Sequence, residues 1–576
     1  MKFLPKNKYR SIDGSNNNRY YSNLGQAGEN LSRKAPPAYA DGIAAPAHPD
    51  FPNSRFISNT LSNQTESLPD KRNLSDYTWT WGQFIDHDLV STLRQQEQEA
   101  KSIYQVDSNS GTNVFSLFNI FNLFFQPNKE VETIDIPIPE GDPIYKPGSV
   151  IPVTRSVFDF STGNAPGNPR QQTNNVTTWI DGSMIYGSDK KRASWLRTFE
   201  EGKLKVSLHG TGDLLPISGN DRNAPDMDSI ATDSNLFVAG DARANENAAL
   251  TSLNTLLVRE HNRLAELIDN THLDLPTNLE ERDEEIYQRA RKLVGAEIQA
   301  ITYNEFLPAL GVTLDPYSGY DSRVDASVSN EFATLGFRMG HSQSGETIRR
   351  LEQDGNLIEA GELNLAQTSF NPSVITEAGG IEPILRGLVT EVQEATDLKI
   401  VDGLRNLLFT DSPSDGPVTN GTDLAALDIQ RSRDHGLPTY NDIREAYGLE
   451  RVSNFEEITN ESDVVEKLKT LYVSVERVDP LIGMLAEGQL VGASIGELNE
   501  AILEDQFERL RDGDRFWYQN DPNFTSWDAP QLESDMMALD WLSQLGLSDI
   551  IELNTDINTF PDNPFFAVQS EDFSAL

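Results

Sequence analysis

The densest group of chemically capable side chains lies in Trp79-Thr80-Trp81-Gly82-Gln83-Phe84-Ile85-Asp86-His87-Asp88-Leu89-Val90. On a helix each residue advances by about 100°, so Gln83, Asp86 and His87, at i, i+3 and i+4, share one face. One turn then offers an amide, a carboxylate and an imidazole to a single cavity, and an imidazole is the side chain best able to carry a proton near neutrality. Asp88 stands one step further round and points elsewhere. Alone, His87 reads as a satisfied side chain on an amphipathic helix. Four other segments change that reading.

The second segment is Thr177-Thr178-Trp179-Ile180-Asp181-Gly182-Ser183. In an extended or looping backbone Thr177, Trp179, Asp181 and Ser183 alternate, and hydroxyl, carbonyl and carboxylate oxygens at that density suit a hard cation such as calcium. Taken alone the stretch is equally an ordinary polar turn; Asp88 is the carboxylate that would complete a site. The third is Asp241-Ala242-Arg243-Ala244-Asn245-Glu246-Asn247, where Arg243, Glu246 and Asn247 repeat the i, i+3, i+4 spacing if a helix begins there. The fourth, Leu335-Gly336-Phe337-Arg338-Met339-Gly340-His341, has glycines that allow a close approach to the backbone. The fifth runs from Leu427 to Gly436; its Arg433, Asp434 and His435 read as a structural network, as does His261.

Long helices must position these groups. Helical periodicity covers Ala248 to Ile268, Glu285 to Phe306, and about 328–341, 381–409, 463–474 and 496–513, and helix far outweighs strand. Residues 1–75, rich in Asn, Ser, Pro and Gly, read as an irregular arm laid on the body formed by 76–576. Short β-like pieces occur at Ile136–Pro139 and Val150–Val153. Val114–Phe125 is the most hydrophobic passage, with Ser116, Asn119 and Asn122 as a polar stripe. It reads as a short buried helix, or else as a weak apolar docking patch.

The bulk properties exclude several classes. The 576 residues carry a net charge of −42 spread along the chain, which argues against nucleic acid or an anionic membrane as a partner. With no cysteine there is no disulfide, zinc-thiolate site, iron–sulfur cluster or thiol nucleophile. No apolar run approaches the roughly eighteen residues of a transmembrane helix, and the first residues lack the apolar core of a secretory signal.

The order of these segments, with Tyr9-Arg10-Ser11-Ile12-Asp13-Gly14-Ser15, Trp179-Ile180-Asp181-Gly182-Ser183-Met184-Ile185-Tyr186-Gly187, Leu257-Val258-Arg259-Glu260-His261-Asn262-Arg263-Leu264, Arg431-Ser432-Arg433-Asp434-His435-Gly436-Leu437-Pro438 and Leu510-Arg511-Asp512-Gly513-Asp514-Arg515-Phe516-Trp517-Tyr518, resembles the animal-type haem peroxidases of the peroxidase–cyclooxygenase superfamily, most of all their bacterial single-domain peroxicin members. The resemblance implies a mainly α-helical, single-domain bundle around a buried haem, with few short strands and long irregular loops. It implies His87 as distal histidine, Arg243 as distal arginine and Gln83 beside the halide or peroxide site. Asp86 and Glu246 match carboxylates ester-linked to haem b, His341 the proximal iron ligand, and Arg338 an arginine near the propionates. Asp88, Thr177, Trp179 through its carbonyl, Asp181 and Ser183 match a calcium site. The implied reaction reduces hydrogen peroxide and oxidises halide, thiocyanate or small aromatic donors, and the resemblance favours an extracellular location.

Two positions depart from the pattern. Asn247 stands where some mammalian relatives have a methionine bonded to a haem vinyl, and Asp428 stands where relatives commonly have an asparagine near the proximal histidine. Two other readings are weighed: a fatty-acid oxygenase, which needs a tyrosine where Arg338 stands, and a calcium-stabilised adhesion protein that has lost catalysis, against which the full set of Gln83, His87, Arg243 and His341 argues.

Overall fold

The structure, a computed structural model, describes residues 8–95, 131–228, 235–271, 274–408, 421–525 and 537–569. The hydrophobic 114–125 passage lies outside the described residues. The architecture is mainly helical, and among the described residues the strands form three short antiparallel ribbons, Ile136–Pro137 with Val150–Ile151, Ser207–His209 with Gly212–Leu214, and Thr347–Ile348 with Leu363–Asn364. The first ribbon is made by the two β-like pieces read from the sequence.

Eight helices matter for the site and are labelled in chain order. They are α1 (Asp76–Leu89), α2 (Ser183–Tyr186), α3 (Ala248–Thr271), α4 (Leu279–Ile301), α5 (Asn330–Thr334), α6 (Gly340–Gln343), α7 (Leu424–Asp434) and α8 (Glu497–Asp512). Three of the long helices start where the sequence supplies a cap. Ser75 Oγ accepts from Tyr77 N–H at the start of α1, Asn278 caps α4 and Asp423 caps α7. Helices α3 and α4 pack together, and α1 packs against α2, α3 and α6. Helix α1 is buried almost throughout, so its polar face must be satisfied by protein or by something bound.

The main apolar core reaches from Leu31 to Phe565, and a smaller separate cluster gathers Ile136, Ile138, Ile151 and Val153 around the first ribbon. The 8–75 stretch contributes Leu31, Ile57, Leu61 and Leu74 to the main core. Arg10 and Asn17 both bond Asp514, and Ala38 N–H donates to Gly436 C=O at 2.7 Å. This arm is less irregular than its composition suggests, since Ser54–Ile57 is helical and continues into a π-helical turn, Ser58–Ser62.

Two sequence expectations are corrected. Residues 381–409 do not form one helix; helical structure is confined to Glu382–Leu388 and Asp402–Arg405. Between them the backbone bridges the segment before α1, pairing Val392 with Ser75, Glu394 with Pro69 and Ile400 with Asn63. The β-branched Thr390, Val392, Thr396 and Ile400 suit that extended path. Likewise 328–341 is broken into α5, a 3₁₀ turn at Gly336–Met339, and α6. A Cβ on Gly336 would lie 2.6 Å from Ile502 Cγ2 of α8, so this glycine serves helix packing. No helix among the described residues is long and apolar enough to cross a membrane.

Candidate active site

Helix α1 carries Gln83, Asp86 and His87 on one face, as the helical spacing requires, and Gln83 and His87 both approach Glu246. Asp86 and His87 are buried. Asp86 Oδ1 and His87 Nδ1 have no hydrogen-bond partner among the described residues. Burial, reinforced by the Arg243 charge, holds the His87 imidazole well below its ordinary pKa, so it is neutral at pH 7. Burial raises the Asp86 carboxyl, against the pull of Arg338, Arg243 and His341.

The Asp241–Asn247 segment is a turn that precedes α3, not its first turn, and this corrects the sequence reading. The reason is Asn247, whose Oδ1 accepts from Leu250 N–H at 2.9 Å and so sets the start of α3 one residue later. The turn still directs its side chains to α1. Arg243 Nη2 donates to the carbonyls of His87 and Val90, at 3.2 and 2.8 Å, clamping the end of α1. Asp241 accepts from Arg243 Nε at 2.8 Å and from Nη2 at 2.9 Å. Burial disfavours the guanidinium charge, but Asp241 outweighs it and the cation is retained. The Asp241 clasp is not evident from the sequence reading; its signal is an Asp two residues before an Arg bound for the interior.

Glu246 Oε2 accepts from Gln83 Nε2 at 3.0 Å and lies 3.5 Å from His87 Nε2. Desolvation, partly offset by Arg243, pushes its carboxyl up to about 7. Asn247 Nδ2 completes the group by donating to Gln83 Oε1 at 2.8 Å.

From the other side α6 presents His341. Its Nδ1 is 2.6 Å from Asp428 Oδ2 of α7, and its Nε2 has no hydrogen-bond partner among the described residues. Arg338 Nε donates to Ala333 C=O at 3.2 Å and lies 4.0 Å from Asp428 Oδ1. Beside His341, a Cβ on Gly340 would meet nothing within 4 Å, an open cradle against the backbone. A cavity of about 560 Å³ is bordered by Val90, Asp241, Arg243, Glu246 and Arg338; it adjoins the Arg243 side of the site, and Gln83, Asp86, His87 and His341 do not line it. A free imidazole nitrogen, the open backbone at Gly340 and orphaned polar atoms on a facing helix whose Asp86 and His87 feel the His341 charge fit a large planar group held through a metal.

Asp88 points away from this cavity. Its Oδ2 accepts from the N–H groups of Asp181 and Gly182, at 3.1 and 3.2 Å, and its Oδ1 from Met184 at 3.1 Å. Thr177 Oγ1 donates to Asp181 Oδ1 at 3.1 Å, Ser183 Oγ donates to the Asp88 carbonyl at 3.0 Å, and Asp181 Oδ2 is buried without a hydrogen-bond partner among the described residues. The described residues contain no cluster of three or more His, Cys, Asp or Glu side chains suited to a metal. This place has two carboxylates, with hydroxyl and carbonyl oxygens as the other donors, a set that fits calcium. The Arg433, Asp434 and His435 group forms the network read from the sequence, with Asp479, Arg155 and Asn330 as partners.

Residues 9–565 match the animal haem peroxidase family. The chain is a member of that family. Peroxinectin A of Dictyostelium discoideum is 31% identical over 89% of this chain and 89% of its own length. The fold matches Peroxidase A from Dictyostelium discoideum with a TM-score of 0.80 and 28% identity, covering 97% of this chain and 99% of that one. A fatty acid alpha-dioxygenase of Arabidopsis thaliana shares the fold, with a TM-score of 0.71 at 20% identity over 98% of this chain and 84% of that one. Family membership implies haem as the bound group and hydrogen peroxide as a substrate.

Proposed function

We propose that the protein is a haem peroxidase that reduces hydrogen peroxide and takes electrons from halide, thiocyanate or small aromatic donors. The observation that carries this reading is His341, whose Nδ1 is committed to Asp428 at 2.6 Å, which leaves Nε2 as the nitrogen that would hold a metal. His341 would hold the iron of haem b, Arg338 would face a propionate, and Asp86 and Glu246 would form ester links. Asp88, Thr177, Trp179, Asp181 and Ser183 would hold calcium behind the distal helix. An extracellular location belongs to the same reading.

Haem, when bound, supplies the electrons that reduce peroxide to water and retains the oxidising capacity until donors return them. The chain's own residues manage the protons. Neutral His87 takes the proton from one peroxide oxygen and delivers it to the other, which leaves as water. Arg243, fixed by Asp241 and by two carbonyls of α1, stabilises the negative charge that develops as the O–O bond breaks. An oxygenase would need a tyrosine three residues before His341, where Arg338 stands.

The test is the absorption spectrum of the haem-loaded protein before and after peroxide. A haem band that is lost in His341→Ala, and a peroxide response slowed by about a hundredfold or more in His87→Ala with haem still bound, are expected. Unaltered peroxide kinetics in His87→Ala would overturn the assignment.

A further inference from the structure

Asn247, Gln83 and Glu246 form a chain whose hydrogen-bond direction is fixed from one end. A backbone N–H can only donate, so Leu250 N–H, 2.9 Å from Asn247, obliges Asn247 to turn its carbonyl oxygen towards it. The Asn247 amide nitrogen must then face Gln83, where it donates to Oε1 at 2.8 Å. Gln83 in turn points Nε2 at Glu246, at 3.0 Å, beside His87. Asn247 is buried, so water does not readily substitute for these partners. Without this anchor only the Glu246 contact would order the amide, whose two ends are nearly the same in shape.

We infer that Asn247 is a positioning residue that fixes the Gln83 amide with its N–H edge towards the reacting side of the cavity, and so favours small anionic donors over neutral ones. This rests on the peroxidase reading above. Gln83 Nε2 carries two hydrogens; Glu246 takes one, and the second has no partner among the described residues. A small anion near His87 meets that N–H and the Arg243 cation, whereas a reversed amide would present it with a carbonyl oxygen. The arrangement holds whether Glu246 is free or esterified, because both forms keep an accepting carbonyl oxygen.

The decisive variant is Asn247→Asp. It is isosteric and still accepts from Leu250 N–H, so the start of α3 is kept, but it cannot donate to Gln83. The Gln83 amide then sets its oxygen against an acceptor in either orientation, against the new carboxylate as it stands or against Glu246 if reversed, so its single orientation is lost. In the resting haem-loaded protein the dissociation constant of thiocyanate, read from the haem absorbance, is expected to rise about tenfold. The ratio of kcat/KM for thiocyanate to that for a neutral phenol is expected to fall by a similar factor. The carboxylate introduced by this substitution also repels anions, and the Gln83→Leu background separates the two effects. There the Asn247→Asp change should shrink to a small residual; an equal change in both backgrounds would overturn the proposal. On the apoprotein, the urea midpoints of Asn247→Ala, Gln83→Ala and the double variant should be non-additive, and additive shifts would also overturn it. Absence of a haem band or of peroxide turnover in the unsubstituted protein would reject the peroxidase reading itself, while the apoprotein cycle still reports on the 247–83 coupling.

Discussion

His341 Nδ1 lies 2.6 Å from Asp428 Oδ2, which makes the proximal pair a charge-assisted hydrogen bond in place of the neutral contact an asparagine would give. Asp428 is not diverted to Arg431, whose Nη1 is spent on Asp434, Ser156 and the Thr154 carbonyl. Arg338 is the nearest cation, at 4.0 Å from the other carboxylate oxygen, too far for a hydrogen bond. The full carboxylate therefore draws on the imidazole N–H and makes His341 a more electron-rich ligand, which favours ferric over ferrous iron. Asp428→Asn is expected to raise the ferric/ferrous potential by the equivalent of roughly 1–2 kcal/mol. Spectroelectrochemical titration of the two proteins decides this, and an unchanged or lowered potential would leave Asp428 a structural residue.

Asp86, with an orphaned Oδ1, and Glu246, whose raised carboxyl keeps only the Gln83 hydrogen bond, are two carboxylates with reactive oxygens to spare. Both are expected to become ester-linked on exposure of the haem protein to peroxide. Mass spectrometry of the denatured protein should find haem retained on the chain, and retained less in the Asp86→Val, Glu246→Val double variant. Haem that extracts freely after peroxide treatment counts against the links.

Much of this site is legible in the sequence because α1 is long and regular. Once Gln83, Asp86 and His87 are placed on a helix their common face follows from its period, and so does the divergence of Asp88. The Arg243–Asn247 turn misleads because its spacing imitates a helix; only the capping contact from Asn247 to Leu250 N–H shows that α3 begins at Ala248. Partners distant in sequence leave no local periodicity. Asp428 reaching His341 and the pairing of 392–400 with 63–75 are tertiary choices that no local pattern encodes. The π-helical turn at Thr302–Phe306, which ends the α4 pattern, is equally silent.

His261 gives a pH prediction away from the haem cavity. It is fully buried, with Tyr186 Oη 2.9 Å from Nδ1 and the Gly202 carbonyl 2.9 Å from Nε2. Desolvation holds its pKa down to about 4, against an ordinary value of 6.5. Between those values the unfolded chain binds a proton that the folded chain refuses, so stability is full above pH 6.5 and falls as pH drops towards 4. The loss attributable to this side chain is about 3 kcal/mol. Urea unfolding from pH 4.5 to 7 should show a shallower pH dependence in His261→Gln; an identical slope would remove His261 from the acid sensitivity.

The last prediction concerns the oxygens behind the distal helix. Asp88 and Asp181 are both buried, and burial together with the Asp181 charge pushes Asp88 up to about 7. Asp88 is partly satisfied by three backbone N–H groups, so α1 keeps an anchor without a cation. Asp181 is not: its Oδ2 lacks a hydrogen bond, and Arg291 Nη2 stands 3.9 Å away. A calcium ion held by both carboxylates, Thr177, Ser183 and the Trp179 carbonyl would relieve the repulsion and fill that position. Because Asp88 adjoins His87, loss of the ion should loosen the turn that holds the imidazole. Dialysis against a chelator is expected to lower stability by about 3 kcal/mol relative to calcium at a hundred times its dissociation constant. It should also slow the peroxide reaction, with both effects reversed by calcium and not by magnesium, which tolerates such an irregular oxygen set poorly. In Asp181→Asn the calcium dependence itself should be weakened. Full activity and unchanged stability in protein shown by metal analysis to lack calcium would reject the site.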